Sequence, residues 1–266
     1  MSYDRKPNSD VLYGAIFAVL AILLSGCGMF QKGDDKAGTY EGPPIVIGQG
    51  RASAFVTLGT DGNPTVVGIK MTEAAFAGLP AVPPDDADGW EYVLQLPSEA
   101  ADAGYDHIGI DWNPRGHIPP GIYDKPHFDF HFYLISVDAR KRITAVGEDL
   151  DRAHKAPPEE FMPAGYILPP GTEVPQMGAH AINPGADEFN KKPFTKTFIY
   201  GFYDGQLVFV EPMIAKAFLD TRPSIIELVA VPKAYLKHGY YPTQYGVKYD
   251  AAQGEYQISL ESLVRR

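Results

Sequence analysis

Cysteine is nearly absent from this chain. The 266 residues contain one cysteine, Cys27, so the chain beyond it forms no internal disulfide and depends on its hydrophobic core for stability. An excess of positive charge is absent as well, since the formal net charge is −10. Because nucleic acids and anionic lipid surfaces attract basic proteins, this charge argues against a nucleic-acid partner and against a polybasic membrane contact.

The sequence also lacks the short motifs of several common catalytic sites. It has no Gly-x-Ser-x-Gly nucleophile motif, no phosphate-binding loop, no His-Glu-x-x-His helix and no glycine fingerprint for a dinucleotide. The sequence also shows no internal repeat, and no long segment differs clearly in composition from the rest of the chain. We therefore expect one domain, without the usual signatures of nucleophilic or nucleotide-dependent catalysis.

The one long apolar run lies near the N-terminus and ends at the cysteine. Val11–Leu24 is shorter than the roughly 20 apolar residues that cross a bilayer, which is typical of a secretory signal. Leu24-Ser25-Gly26-Cys27 resembles the bacterial lipobox, in which the cysteine sulfur receives a diacylglyceryl group. The sequence thus predicts a lipoprotein signal peptide over residues 1–26 and anchoring in the lipid bilayer through acylated Cys27. An uncleaved anchor helix from Val11 to Phe30 is the alternative.

Both alternatives place the rest of the chain outside the cytoplasm, as a membrane-anchored protein of the periplasm or the outer surface. Residues 27–44 are polar and rich in glycine, which predicts a flexible tether. The chain contains 27 glycines and 24 prolines, a composition that suits short strands joined by many turns. For residues 45–266 we predict a single mainly β domain, a β-sandwich or open barrel with a few short helices and long Pro/Gly-rich loops.

Candidate chemistry is concentrated in the segment Pro126–Tyr133. Polar and aromatic residues alternate with period two, which predicts a strand with two unlike faces. His127, Asp129 and His131 share one face, and phenylalanines occupy the other. Imidazole and carboxylate groups are common ligands of divalent ions, so this face predicts a metal site. The alternative is a set of histidines that hydrogen-bond to neighbouring strands, with the aspartate as acceptor.

Strand geometry limits how these residues share an ion. Same-face neighbours lie about 7 Å apart, and His127 and His131 lie about 13 Å apart. We therefore expect Asp129 and His131 to form the chelating core, with His127 joining only through a bulge or as a hydrogen-bonding support. The remaining ligands are expected from loops, where His117 and His180 follow turns rich in glycine and proline.

Three further residues are candidate supports of the ligands. His107 and Asp111 share one face of the preceding predicted strand. Glu211 stands at the predicted end of a later strand, directly before Pro212, which predicts the first position of a helix that runs to about Leu219. A role of Glu211 at the start of that helix is an equal alternative to a role in the site.

Several of these segments together resemble a known protein family. The shared segments are Asp111-Trp112-Asn113-Pro114, Gly116-His117, Gly121, Tyr123-Asp124, Pro126–Tyr133, Met177-Gly178, His180 and Glu211-Pro212-Met213-Ile214. They resemble an uncharacterised bacterial family, catalogued as a domain of unknown function and represented structurally by a small Thermus protein. The resemblance extends over roughly Ile45–Val231 and implies an exported β-rich protein, but no activity. It marks the same residues as positions to watch: His117, His127, Asp129, His131 and His180.

These observations predict a membrane-tethered extracytoplasmic lipoprotein that binds one divalent transition metal through a His/Asp cluster. Zinc is the favoured ion, and copper, iron and manganese are alternatives. Two other functions stay open. One is a metal-dependent hydrolase or oxygenase with an open coordination position, and the other is a structural or ligand-binding lipoprotein without a metal. The sequence also leaves open a homo-oligomer and an unidentified small-molecule ligand.

Overall fold

The chain folds mainly into antiparallel β-strands. A computed structural model describes residues 36–85 and 89–266. Along the chain the strands are β1 (Gly38–Glu41), β2 (Ile45–Ile47), β3 (Gly50–Leu58), β4 (Pro64–Thr72), β5 (Trp90–Gln95), β6 (His107–Asn113), β7 (His127–Tyr133), β8 (Glu173–Val174), β9 (Gly178–Ala181), β10 (Lys196–Tyr203), β11 (Gln206–Ala215), β12 (Ser224–Leu228), β13 (Tyr240–Tyr241), β14 (Gln244–Asp250), β15 (Glu255–Glu261) and β16 (Val264–Arg265).

Helical structure is limited to short segments between the strands. The α-helices are α1 (Val137–Arg140), α2 (Glu148–His154) and α3 (Lys216–Leu219). The 3₁₀ turns are Glu73–Phe76, Ser98–Ala103, Glu159–Phe161 and Asp187–Asn190. Among the described residues, no helix combines the length and the apolar character that crossing a bilayer requires.

The strands form two large antiparallel sheets. The first has the order β1-β3-β4-β15-β14-β12, with β2 paired to β3, and the second has the order β5-β6-β7-β11-β10-β9-β8. Strands β13 and β16 form a separate pair. Because β7 has β6 on one side and β11 on the other, both flanking strands contribute side chains to its surroundings.

Apolar side chains from both sheets form one shared core. Val56 and Ile69 of the first sheet belong to the same buried cluster as Ile110 of the second. The three phenylalanines of β7 lie in this cluster and are fully buried: Phe128, Phe130 and Phe132. A core between two sheets is the arrangement of a β-sandwich, so the prediction of a mainly β domain is confirmed.

Several local predictions need correction or fall outside the described residues. The signal peptide over residues 1–26 and the lipidation site Cys27 lie outside them. Within the predicted tether, Gly38–Glu41 is strand β1 and pairs with β3, so residues 38–41 belong to the sheet. The helix predicted from Pro212 is also wrong, because Pro212 lies inside β11 and only α3 is helical. Pairing with β10 keeps this proline in the sheet despite its local preference.

Candidate metal centre

Strand β7 presents its polar face as a regular row. All seven of its residues pair with β6 without a register shift, from His127 opposite Asn113 to Tyr133 opposite His107. The bulge considered from the sequence is therefore not needed in this strand. The polar residues of the row are nevertheless buried, with exposed fractions of 0% for His127, 5% for Asp129 and 1% for His131.

The first ligand group contains His117, His127 and Asp129. The Nε2 atom of His117 lies 3.2 Å from Oδ2 of Asp129, and Nε2 of His127 lies 3.2 Å from Oδ1 of the same carboxylate. One ligand atom from each residue can be chosen so that all three lie within 4.8 Å of one another. Two imidazoles and a carboxylate thus converge on one point, which suits a divalent transition metal.

The second ligand group contains His131, His180 and Glu211. The Nε2 atoms of His131 and His180 lie 3.5 Å and 3.9 Å from Oε2 of Glu211. Their ligand atoms also lie within 4.8 Å of one another. Glu211 reaches this position because β11 pairs with β7, and the pairs Val210–Phe132 and Met213–Asp129 place Glu211 beside His131.

In three of the four histidines of the two groups, the Nδ1 atom donates to a backbone carbonyl that fixes the ring. His117 donates from Nδ1 to the carbonyl of Ile118 at 2.7 Å, His127 to that of Lys125 at 2.6 Å, and His180 to that of Thr172 at 2.8 Å. In His131, Nδ1 lies 2.9 Å from Oδ2 of Asp111, which is an ion-pair distance but not a hydrogen bond by its geometry. An acceptor at Nδ1 leaves the Nε2 lone pair available, which is the usual arrangement of metal-binding histidines.

Several atoms that face each other in the two groups have no hydrogen-bond partner among the described residues. They are Nε2 of His127 and His131, Oδ1 of Asp129 and Oε2 of Glu211. Leaving buried polar atoms unsatisfied costs about 1–3 kcal/mol each, and more for charged groups. The facing atoms lie 3.2 Å apart in the His127–Asp129 pair and 3.5 Å apart in the His131–Glu211 pair, and a cation between them would satisfy the lone pairs on both sides.

Electrostatics in the first group favour an ionised Asp129 and a protonated His117. Burial alone raises the pKa of Asp129, but the charges of His127 and His117 hold this pKa well below its usual range. Burial lowers the pKa of His117, yet the charge of Asp129 and its hydrogen bond outweigh burial and raise it to about 9. In the metal-free protein a proton on His117 therefore lies where a cation would bind.

Burial shifts pKa values in the second group as well. Burial and the charge of Asp129 raise the pKa of Glu211 to about 8, against the opposing charge of His131. Burial lowers the pKa of His131, but the carboxylates of Glu211 and Asp111 raise it to about 9. Burial and the charge of His131 lower the pKa of His180 to about 4, so its ring is neutral at pH 7 and ready to act as a ligand.

The loop that carries His117 is held down by a glycine. Gly116 has a φ of +74°, and a Cβ atom there would lie 2.0 Å from the carbonyl oxygen of Tyr123. The backbone N–H of His117 donates to this same oxygen at 3.2 Å. Only glycine allows the two ends of the loop to approach this closely, which brings the His117 ring over β7.

The structure brings together all five predicted metal ligands, but in a different grouping. Asp129 and His131 belong to separate groups and do not form one chelating core. Their spacing along the strand explains the difference, because same-face neighbours are about 7 Å apart and each finds closer partners on other segments. His180 lies in strand β9, whereas the sequence places it in a loop.

The three predicted supporting residues lie in three different positions. Glu211 is in the middle of β11 and belongs directly to the second ligand group. Asp111 contacts His131, as a supporting residue would. The ring of His107 lies 2.8 Å from Asp106, accepts from Arg140 at 3.2 Å and stacks on Tyr133, so its nitrogens are used away from both groups.

Sequence reasoning missed Asn113 as a site residue. Its amide Nδ2 donates to Oδ2 of Asp129 at 2.7 Å, and the residue is 2% exposed. This hydrogen bond fixes the carboxylate that His117 and His127 approach. The signals in the sequence are its place in the shared segment Asp111-Trp112-Asn113-Pro114 and its position directly before the Pro/Gly loop, where asparagine is equally common as a turn residue.

A family model matches residues 59–112. Its description is "TTHB210-like: Hypothetical protein TTHB210", which names no activity. The match confirms the resemblance to an uncharacterised family with a Thermus representative. It is shorter than the span predicted from the sequence and includes His107 and Asp111, but none of the six residues of the two ligand groups. Comparisons with curated proteins and with solved structures gave no match.

Proposed function

We propose that this chain is a membrane-tethered extracytoplasmic lipoprotein that binds a divalent transition metal through His117, His127 and Asp129. The observation that carries the metal proposal is the set of Nε2 and carboxylate atoms that are buried, face one another and lack hydrogen-bond partners. Buried polar atoms are usually hydrogen-bonded, so unpartnered atoms at this distance support a cation between them over the alternative without a metal.

The donor set narrows the metal class. Neutral imidazole nitrogens and one carboxylate suit zinc, iron, copper and manganese, and they do not suit calcium or magnesium, which prefer oxygen ligands. Zinc is the favoured ion. Its role would be binding or stress protection at the cell envelope, and the tether to the bilayer rests on the sequence up to Cys27.

A metal-dependent enzyme is the second candidate function. One observation favours it, since each group supplies three protein ligands, the number found in catalytic sites that keep one position open. The His117 side chain is 21% exposed and that of Asp129 is 7% exposed, so solvent approaches from the loop side. An open position there would accept water or a substrate.

Metal analysis of the full-length chain tests the proposal. We expect the protein, extracted in detergent and dialysed, to retain zinc or another transition metal in elemental analysis, and His117→Ala to retain less. His238→Ala is the matched control, because His238 is exposed and bonds only to the carbonyl of Arg266 among its described contacts. Retention of metal by His117→Ala at the level of the parent would contradict the assignment of the site.

The cobalt-substituted protein separates binding from catalysis. If a coordination position is open, azide or cyanide binds there and shifts the visible absorption of cobalt. A site that is closed by protein ligands gives no shift and favours storage or a structural role.

A further inference from the structure

We propose that His131, His180 and Glu211 bind a second divalent transition-metal ion, beside the ion of the first group, so that the site holds two metals. This inference rests on the proposed function and extends it from one ion to two. Four observations on the described residues support it, and each concerns the second group or its relation to the first.

The first observation is that the donor set is duplicated. Each group consists of two histidines and one carboxylate, and they have no residue in common. Ligands of one ion lie about 2.0–2.2 Å from it and so about 4 Å or less from each other. Asp129 and His131 are same-face neighbours whose backbone positions lie about 7 Å apart. Their ligand atoms fall into separate groups, which suits two adjacent ions better than one shared ion.

The second observation is that the second group contains unpartnered buried atoms of its own. His131 and Glu211 are each 1% exposed, and neither Nε2 of His131 nor Oε2 of Glu211 has a hydrogen-bond partner among the described residues. An ion in the first group would leave both atoms unsatisfied. A cation between His131, His180 and Glu211 satisfies both atoms.

The third observation is the orientation of the two rings. Asp111 lies 2.9 Å from Nδ1 of His131, and the carbonyl of Thr172 accepts from Nδ1 of His180 at 2.8 Å. The Nε2 atoms of the two rings lie 3.5 Å and 3.9 Å from Oε2 of Glu211. A carboxylate behind a histidine is the arrangement that holds the ring and increases its basicity in metal sites.

The fourth observation is the balance of charge. Three carboxylates are buried around the two groups, with exposed fractions of 8% for Asp111, 5% for Asp129 and 1% for Glu211. Asp111 and Asp129 lie directly opposite each other in the β6–β7 pair. With neutral histidines and all three carboxylates ionised, one divalent ion leaves one uncompensated negative charge in the interior. A second ion changes the sum to one positive charge, which a bound hydroxide neutralises.

Metal counting tests the proposal. The full-length chain in detergent is stripped with a chelator, loaded with cobalt, passed over a desalting column and analysed for metal and protein. We expect two ions per chain in the parent and in His238→Ala, and one in His180→Ala and in His117→Ala. His180→Gln is the second variant, because its amide keeps the approximate size of the ring if alanine disturbs β9.

The outcomes distinguish the two proposals. No metal in the parent overturns the proposed function and the second ion together. One ion that His117→Ala removes and His180→Ala retains overturns the second ion alone. If the parent binds one ion, and His117→Ala and His180→Ala each lose it, the two groups form a single shared site. This result also overturns the second ion.

A spectroscopic measurement decides the question even if the variants do not fold. The parent loaded with copper(II) is examined by electron paramagnetic resonance at one and at two equivalents. Two copper ions held by residues about 7 Å apart along one strand broaden each other's signal by dipolar coupling, so we expect broadening only at the second equivalent. If the copper signal of the protein stays sharp at both equivalents, and the second equivalent of copper(II) remains unbound in solution, the proposal is overturned.

Discussion

The Nε2 atom of His131 lies 3.5 Å from the Oε2 atom of Glu211, although the two residues are distant in the sequence. They meet because β7 and β11 are neighbouring antiparallel strands, which brings the carboxylate beside the ring. The same strand β7 carries Asp129 to a different pair of histidines. One regular strand thus supplies both candidate metal groups, and the flanking strands and loops complete them.

Asn113 is expected to support the first group without touching the ion. We predict that Asn113→Ala weakens metal binding about tenfold, because loss of an outer partner of a ligand costs about 10- to 100-fold in affinity. The change is measured by competition with a chromophoric chelator. Gln253→Ala, which removes an exposed amide, is the control, and equal affinities of the two variants would show that the Asn113–Asp129 bond has no role in binding.

The close approach at Gly116 gives a second prediction with a matched control. Gly116 and Gly121 both have positive φ values, +74° and +80°, but a Cβ atom at Gly121 would meet nothing within 4 Å. Both alanine variants carry the backbone strain of about 1–3 kcal/mol, and only Gly116→Ala adds a clash with Tyr123.

We therefore expect Gly116→Ala to displace His117 and reduce metal affinity, with Gly121→Ala close to the parent. Chelator competition and thermal unfolding are measured on both variants. If metal affinity falls equally in the two variants, the backbone strain at positive φ accounts for the loss. The close approach at Gly116 then does not position His117.

The pH dependence of metal binding follows from the raised pKa of His117. In the folded metal-free protein this pKa is about 9, above the ordinary value of 6.5. Protonation of His117 therefore stabilises the metal-free fold below pH 6.5, and this contribution is lost as the pH rises through 9. Metal binding requires the deprotonated ring, so affinity rises by about tenfold per pH unit for each proton released.

We accordingly expect a chelator-treated sample to unfold more easily as the pH rises from 6.5 to 9, and added zinc to stabilise it more strongly over the same range. Denaturant unfolding at several pH values measures both effects. His117→Gln should show a smaller loss of stability with pH in the metal-free state. A metal affinity that falls as the pH rises would contradict the prediction.

The opposite face of β7 determines stability. Phe130 is fully buried in the core between the sheets, so Phe130→Ala is expected to lower the free energy of unfolding by about 3–5 kcal/mol. Leu228→Ala is the control, because Leu228 is 79% exposed and its truncation should change stability by about 0.5 kcal/mol or less. Denaturant unfolding with a chelator present measures both. A small effect at Phe130 would show that the core has repacked.

Processing of the N-terminus is a separate prediction. We expect the mature chain to begin at Cys27 and to carry acyl groups, because the apolar run ends at Leu24-Ser25-Gly26-Cys27. Mass spectrometry of the purified chain measures this, with Cys27→Ser as the control that stays unacylated. An intact Met1, or an unmodified Cys27 at the N-terminus, would contradict the lipoprotein prediction.

Local patterns in the sequence were sufficient to predict the faces of β7. The alternation from His127 to Phe132 has the period of a strand, and that period depends only on the backbone of the segment itself. Composition likewise predicted a mainly β domain. The residues around His117 predicted a tight turn because glycine and proline act through their own φ angles.

The tertiary structure alone decided which carboxylate each histidine meets. His131 meets Glu211, and Asp129 meets His117 and His127, because of the order and register of β6, β7 and β11, which are set by pairing between distant segments. Pro212 remains in β11 for the same reason, although its local preference is to begin a helix. Sequence determined the chemistry available on each strand, and long-range pairing divided that chemistry into two groups.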